Sequence, residues 1–307
     1  MNMQQSKFTT YLLLSCSMLF WGTSFVFTSL ILPSINAISL IFIRLVISAS
    51  MLWIFILLFY KKCKIEKKDW KYLFLLALFE PFFYFLGETF ALERVSPVIV
   101  SPIISTIPVF TAIIMVLFFK AKLSKTNIIG IFLSLIGVIC MILGKNLQID
   151  VDIFGIFLLF ITVCSSVCYG IILNTLSGKV NTIWLIAIQN TIGMLLFLPL
   201  WLITKQPIDY QANLSSGIFV NCSPQFVVWF SIIMLSIFSS TLAFMFYSMA
   251  VKKIGISRSA VFTNAIPIFT AITAFFLTGE LLSLYKMIGI LIIIVGVCLT
   301  QIEKKEI

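Results

Sequence analysis

The stretch Ile107-Pro108-Val109-Phe110-Thr111-Ala112-Ile113 recurs as Ile266-Pro267-Ile268-Phe269-Thr270-Ala271-Ile272. Both copies put a proline inside an apolar run. Working outward without a gap, Leu123-Ser124, Ile129-Gly130-Ile131 and Gly137-Val138 return as Leu282-Ser283, Ile288-Gly289-Ile290 and Gly296-Val297. One short peptide can repeat by chance, but a spaced set in constant register marks an internal duplication.

The duplicated chain is built for lipid. Of its 307 residues 61% are hydrophobic and 10% charged, and the mean hydropathy is +1.15. A water-soluble domain of that composition would expose large apolar surface. A helix needs roughly 20 residues to cross about 30 Å of hydrocarbon, so the length accommodates about ten spans. The formal charge of +10 falls in short loops between apolar runs, which assigns it to membrane topology rather than to nucleic acid. The seven cysteines lie mostly inside apolar runs and read as packing residues. Cys164 and Cys168 are one helical turn apart, but without any histidine in the chain no metal site or cofactor is indicated. The apolar run after Lys7 is too long for a cleaved leader and reads as a retained first span.

Apolar runs between charged or turn-forming breaks predict spans near 9–31, 38–60, 70–92, 96–119, 125–144, 154–173, 183–204, 226–251, 257–278 and 284–302. The N-terminus and alternate connections carry Lys7; Lys61, Lys62, Lys64, Lys67, Lys68 and Lys71; Lys120, Lys122 and Lys125; Lys179; Lys252, Lys253 and Arg258; and Lys304 and Lys305. The opposite connections carry only Arg94, Lys145, Lys205 and Lys286. The positive-inside rule then puts both termini in the cytoplasm. The Ile-, Phe- and Lys-rich composition suggests an AT-rich bacterial genome, so the expected location is a bacterial inner membrane.

Five spans precede the connection at Lys145 to Asp152 and five follow it. The repeats are therefore expected over 1–147 and 148–307, with Trp21-Gly22 in span 1 echoed by Tyr169-Gly170 in span 6. An odd number of spans per copy turns the second copy upside down. The expected fold is all-α and integral to the membrane, ten helices as two inverted five-helix repeats. Exchanging the conformations of such halves converts an outward-open cavity into an inward-open one, so transport is the natural use. The contrasting reading is a bundle without transport, such as a sensor or scaffold.

Candidate site residues follow from what is costly in hydrocarbon. Pro108 and Pro267 each remove a backbone donor and free the carbonyl four residues earlier, on Ile104 and Thr263. Ser105 and Thr106 precede the first, and Thr263 and Asn264 the second, giving symmetry-related polar patches that either bind solute or satisfy the kinked backbone. Arg44 in span 2 and Glu88 in span 3 fall at similar depth, roughly 6 to 9 Å below one interface, and are expected to form a structural ion pair. Glu80 lies near the midplane beside Pro81 and one turn before Tyr84. It either takes up a proton, faces a cationic substrate, or bonds in protonated form to a neighbouring helix. Trp21, Tyr84, Tyr169 and Tyr247 combine an aromatic body with a polar tip beside polar or glycine positions and suit an amphipathic cavity for a small organic solute. Gly130, Gly137, Gly289 and Gly296 recur on one helix face as a close-packing seam, with contact between protomers of a homodimer as one use.

The ten spans in two halves, Trp21-Gly22, the Pro108 and Pro267 helices, and Gly279-Glu280-Leu281 before a glycine-spaced last helix together resemble the EamA family of the drug/metabolite transporter superfamily. The resemblance covers nearly the whole chain. It implies a secondary transporter, usually an exporter of amino acids, metabolites or drugs, with a central cavity bordered by spans 1, 3, 4, 6, 8 and 9, which the polar and aromatic positions above would face. The chain departs from repeat symmetry where Lys120-Ala121-Lys122 stands opposite Gly279-Glu280-Leu281, and where Glu80 and Glu88 correspond to Ser239 and Tyr247.

The expected activity is export of small amphipathic metabolites such as amino acids by alternating access. The alternatives are proton-coupled efflux of cationic drugs at Glu80 and, from another class, a non-transporting membrane sensor. An enzyme is not expected: there is no histidine, no phosphate-cradling glycine loop and no acidic cluster at a membrane surface. The expected partners are a small-molecule solute and membrane lipid, with no nucleic acid.

Overall fold

The computed structural model describes residues 3–60, 65–119, 124–142, 151–210, 217–280 and 283–300. Of the positions used above, Lys61, Lys62, Lys64, Lys120, Ala121, Lys122, Leu123, Lys145, Leu281, Leu282, Lys304 and Lys305 lie outside these residues. The described chain is helical throughout; its one β feature is an isolated bridge between Ser177 and Val180. Seven helical stretches are long and apolar enough to cross a membrane, and Lys125–Cys140, Phe262–Thr278 and Leu284–Leu299 are shorter apolar helices.

Six of the spans are single helices: α1 (Met3–Ile31), α2 (Ala37–Phe59), α7 (Lys125–Ile142), α8 (Ile153–Leu176), α9 (Thr182–Thr204) and α14 (Leu284–Thr300). The other four are interrupted, and the interruptions obey the repeat. Span 3 consists of α3 (Trp70–Ala77) and α4 (Tyr84–Leu92), joined by a widened, π-helical turn over 78–83. Span 4 is α5 (Pro97–Ile104) and α6 (Ile107–Phe119), separated by Ser105 and Thr106. Span 8 is α10 (Pro224–Met234) and α11 (Phe244–Ile254) around a π-helical stretch at 235–243. Span 9 is α12 (Ile256–Ala260), a tight 3₁₀ segment at 261–265, and α13 (Ile266–Thr278). The offset that carries Ile107 to Ile266 carries 78–83 to 237–242, inside the widened stretch of span 8. Sequence periodicity predicts spans 3 and 8 as continuous helices. The structure widens them because Pro81 has no amide hydrogen and Glu80 leaves helical geometry (φ −145°, ψ 115°), while 235–243 gathers Ser236, Ser239, Ser240 and Thr241, whose side chains compete for backbone groups.

Helix ends are set by local chemistry. Ser96-Pro97 and Ser223-Pro224 start α5 and α10 with a capping hydroxyl followed by a proline whose missing donor costs nothing in the first turn. Asn36, Asp152 and Asn181 cap α2, α8 and α9 through their side-chain oxygens.

Packing expresses the inverted symmetry. Span 2 packs on span 7 and span 5 on span 10, each against its own repeat mate. Span 1 packs on spans 8 and 9, while span 6 packs on spans 3 and 4. At the centre the repeat mates Phe85 and Phe244 meet edge to face, with ring centroids 6.4 Å apart. The glycine seam joins spans 5 and 10 within the chain: a Cβ on Gly137 would fall 3.0 Å from the Gly289 carbonyl oxygen, and one on Gly296 would fall 2.8 Å from that of Gly130. These glycines therefore serve the internal pair, not the protomer contact raised above. The outward faces of α7 and α14, including Ile129, Phe132, Ile136, Ile288 and Leu291, are exposed as a surface that hydrocarbon solvates.

Candidate functional site

The polar interior of the bundle is organised by the two widened turns. Such a turn loosens the backbone hydrogen-bond ladder, and serines of neighbouring helices add donors to it, at Phe79 beside the Tyr84 amide that the same carbonyl accepts. Ser165 of α8 donates to the Phe79 carbonyl at 2.6 Å, and Ser17 of α1 donates to the Ala243 carbonyl at 3.0 Å. The register that pairs Trp21-Gly22 with Tyr169-Gly170 also pairs Ser17 with Ser165.

Arg44 is fully enclosed among spans 2, 3 and 8. Its Nη2 donates to Ser239 Oγ at 3.0 Å and its Nε to Ser240 Oγ, and the guanidinium carbon lies 4.1 Å from the centre of the Phe85 ring. Among the described residues the ion pairs are Glu66–Lys68, Arg94–Asp152 and Glu280–Lys286, so the expected direct Arg44–Glu88 salt bridge is not formed. Glu88 is nevertheless the strongest charged neighbour of Arg44, ahead of Tyr84 and Glu80, and the pair interacts at longer range. The physical reason is the turn at 235–243, which presents two serine hydroxyls to the guanidinium fork before any carboxylate reaches it. The network continues through Ser48, which shares a 2.6 Å bond with Thr241 Oγ1. Asn190 Nδ2 donates to Ser48 Oγ at 2.7 Å and to the Ser240 carbonyl at 3.0 Å.

Beside this network lies an aromatic and carboxylate cluster. Glu80 is buried, with the Ser166 hydroxyl as its polar neighbour, and it interacts electrostatically with Tyr84, Tyr169 and Tyr247. Trp21 packs on Tyr247 at 5.1 Å and on Phe244 at 5.3 Å, and Tyr169 meets Phe244 at 6.1 Å. Trp21 and Tyr169 thus pack on Phe244, Tyr247 packs on Trp21, and Glu80 lies within electrostatic reach of Tyr84, Tyr169 and Tyr247. Gln189 and Ser248 are buried beside the Tyr169 hydroxyl and interact with it.

The remaining candidates sit at the breaks of spans 4 and 9 and serve the backbone. Ser105 Oγ donates to the Pro102 carbonyl at 2.8 Å, Thr106 Oγ1 to that of Ile103 at 2.5 Å, and Thr263 Oγ1 to that of Ala260 at 2.7 Å. Asn264 Nδ2 reaches Cys298 Sγ at 3.4 Å. Pro267 opens α13 in its first turn, and Pro108 occupies the second position of α6. The prolines therefore begin helical segments just after each break. At one end of these spans Ser96 Oγ donates to Glu280 Oε1 at 2.6 Å, with Lys286 Nζ 3.8 Å from the same oxygen. The Ile218 amide also donates to the Phe276 carbonyl at 3.1 Å. The repeat counterparts of Ser96 and Glu280 are Gly255 and Ala121, which have no side chain able to repeat this bond at the opposite end.

Sequence reasoning passed over Gln189, Asn190, Ser48, Ser240, Thr241, Ser248 and Phe244. A signal was present in the adjacent carboxamides Gln189-Asn190 and in Ser239-Ser240-Thr241, each set inside an apolar run. Between α1 and span 8 the surface carries a half-open groove of 230 Å³, lined by Phe20, Phe27, Leu235, Phe238 and Ser239 among others. Its inner wall thus includes one of the Arg44 partners.

The EamA-like transporter family model matches residues 8–143 and 153–302. The chain belongs to the EamA-like transporter family. Among relatives, an uncharacterized transporter of Archaeoglobus fulgidus is 25% identical over 303 residues, covering 97% of this chain and 99% of its own. The uncharacterized transporter YvbV of Bacillus subtilis is 23% identical over 304 residues, covering 98% and 94%. A solved crystal structure superposes with a TM-score of 0.66 at 14% identity, covering 94% of this chain and 95% of its own, and establishes the shared fold alone. This EamA-like protein is a multi-pass membrane protein of a transporter family.

Proposed function

We propose that this EamA-like protein is a secondary transporter that exports a small amphipathic organic solute, amino acids included, by alternating access. The observation that carries the proposal is the set of repeat-related helix interruptions, 78–83 with 235–243 and 105–106 with 261–265, arranged around one buried cluster of aromatic and polar side chains. Interrupted helices bend at their breaks, and inverted halves exchange those bends between the two faces. In this reading residues 1–147 and 148–307 are the moving halves, and Trp21, Glu80, Tyr84, Tyr169 and Tyr247 contact solute. Arg44 and Glu88 brace spans 2, 3 and 8, while Ser105, Thr263 and Asn264 stabilise the hinges that Pro108 and Pro267 define.

The lysine and arginine distribution supports cytoplasmic termini in a bacterial inner membrane. Lipid is the surrounding partner, and the exposed apolar faces of α7 and α14 are the surface on which a homodimer would form. The test is counterflow: proteoliposomes loaded with unlabelled amino acids and small amines are diluted into traces of each labelled solute. Transient accumulation of at least one solute, abolished by Trp21→Ala and Tyr169→Ala variants that remain folded, is expected. No accumulation of any solute beyond that of empty liposomes would overturn the proposal.

A further inference from the structure

The seam between α1 and span 8 is held by two rungs of phenylalanine rings with a gap between them. In one rung Phe20 of α1 meets Phe238 at 5.1 Å and Phe246 at 6.3 Å. In the other, Phe27 meets Phe230 at 6.0 Å and Phe219 at 6.5 Å, and Phe219 meets Phe230 at 5.8 Å. Phe20 and Phe27 are two helical turns apart, about 10 Å. The half-open groove of 230 Å³ lies along this seam, with Leu19, Thr23 and Ser24 on one wall and Met234, Leu235 and Ser239 on the other. Both walls belong to helices long and apolar enough to span a membrane, and Leu19 and Ile233 beside the groove are exposed. Its mouth therefore opens at hydrocarbon depth.

The lining says what can fill it. Thr23 Oγ1 donates to the Phe20 carbonyl at 3.1 Å, and Ser24 Oγ donates to the Trp21 carbonyl at 2.8 Å. Ser239 Oγ accepts from Arg44 Nη2. The hydroxyls are thus engaged within the protein, and what remains is hydrocarbon and aromatic rings. Pockets for whole drug-sized ligands hold roughly 300–1,000 Å³, so this groove is small for an amphipathic solute but suits a single narrow chain. Left unfilled, its walls would forgo dispersion contacts on one side. The aromatic frame is also peculiar to this seam. The register that pairs Trp21-Gly22 with Tyr169-Gly170 puts Cys168 and Thr175 in the places of Phe20 and Phe27, and the one that carries Ile107 to Ile266 puts Lys71 in the place of Phe230.

We infer that the groove binds one acyl chain of a membrane phospholipid as a structural lipid that braces α1 against the widened turn of span 8. The chain lies against Leu19, Thr23, Met234 and Leu235, between the Phe20–Phe238 and Phe27–Phe230 rungs. Ser239 ties the two sides of the turn together: it lines the groove and holds Arg44 in the interior. The lipid therefore supports from the membrane the same turn that Arg44 supports from within. This site needs neither solute nor charge, and it stands or falls independently of the transport reading.

The test reconstitutes the full chain in phosphatidylcholine liposomes that contain a small fraction of phosphatidylcholine with a diazirine in its acyl chain. After irradiation, adducts are mapped by mass spectrometry. Labelling at Leu19, Thr23, Met234 and Phe238 is expected to exceed severalfold that at Ile288 and Leu291 on the exposed face of α14. Thr23→Trp and Met234→Phe fill the groove, and neither residue bonds to the Arg44 network. Each is expected to cut groove labelling severalfold and to leave labelling of α14 unchanged. Phosphatidylcholine added to detergent-purified protein is expected to raise the melting temperature of the parent by more than that of either variant. Groove labelling no stronger than that of α14 overturns the assignment, and because this comparison is made in the parent it holds even if a variant fails to fold. Groove labelling that persists in a folded variant, or an equal rise in melting temperature in all three proteins, also overturns it. Cross-links from these residues to a second copy would make the groove a protomer contact, and adducts displaced by a solute that counterflow exchanges would make it a solute route. Either result overturns the lipid assignment and leaves the transport reading untouched.

Discussion

Replacing Arg44 with methionine should be among the most damaging single substitutions in the bundle, and the structure indicates how damaging. The change removes donors to Ser239 Oγ and Ser240 Oγ and the guanidinium from the face of Phe85. It also leaves the Glu88 carboxylate without its strongest charged neighbour. Breaking a buried charge arrangement by deleting one member costs about 3–5 kcal/mol. At roughly 2–4 °C per kcal/mol for a chain of this size class, the melting temperature in detergent should fall by roughly 10 °C. The decisive assay is a double-mutant cycle with Glu88→Leu. Because the second substitution removes the stranded carboxylate, Arg44→Met/Glu88→Leu should be more stable than the sum of the single losses by more than about 1 kcal/mol, well beyond the additivity error of independent sites. Simple additivity, or an Arg44→Met variant that melts within 2 °C of the parent by that roughly scaled measure, would refute the argument that Arg44 and Glu88 are coupled without direct contact.

Three further substitutions probe other parts of the argument. Gly137→Leu drives a side chain into the Gly289 carbonyl and Ile293; overpacking of this kind costs about 1–3 kcal/mol or more, and thermal melting should show it, whereas an unchanged melting temperature would mean that spans 5 and 10 can separate freely. Gly22→Ala places a Cβ 2.8 Å from Phe269 Cβ and 2.9 Å from the Ile266 carbonyl, so it should slow counterflow as well as lower stability, because the contact lies between α1 and α13, which begins at a proposed hinge. Asn190→Leu strips Ser48 Oγ and the Ser240 carbonyl of a donor and should destabilise by about 0.6–2 kcal/mol, the range of interhelical hydrogen bonds in membranes; an unchanged or raised melting temperature would contradict the structural weight given to these bonds.

The overall architecture was legible because it depends on one-dimensional signals. The repeated Ile107–Ile113 peptide, apolar run lengths and the odd number of spans per copy lead to inverted halves without knowledge of any contact. The breaks at Ser105-Thr106 and 261–265 could be anticipated from Pro108 and Pro267, since proline acts through its own backbone. The widened turn at 235–243 could not, because it contains no proline or glycine, and it persists because Ser17, Ser48 and Arg44 on other helices satisfy what it exposes. The same dependence on rotation about helix axes explains Arg44: a similar depth for Arg44 and Glu88 does not say which face of span 8 fills the space between. Attention to ionisable groups also hid Gln189, an uncharged residue whose full burial beside Tyr169 only the packed structure reveals.

Alternating access is the central claim, and the contact at one end of spans 4 and 9 allows it to be tested directly. Ser96 and Glu280 join the start of α5 to the end of α13, and no side-chain counterpart exists at the repeat-related positions. In a background without native cysteines, Ser96→Cys and Glu280→Cys would be joined by a short reducible thiol cross-linker in proteoliposomes. Counterflow of a solute that the uncross-linked protein exchanges should fall to the level of empty liposomes as cross-linking approaches completion, and return on reduction. Full exchange through completely cross-linked protein would show that these ends need not part, and would contradict alternating access at this gate.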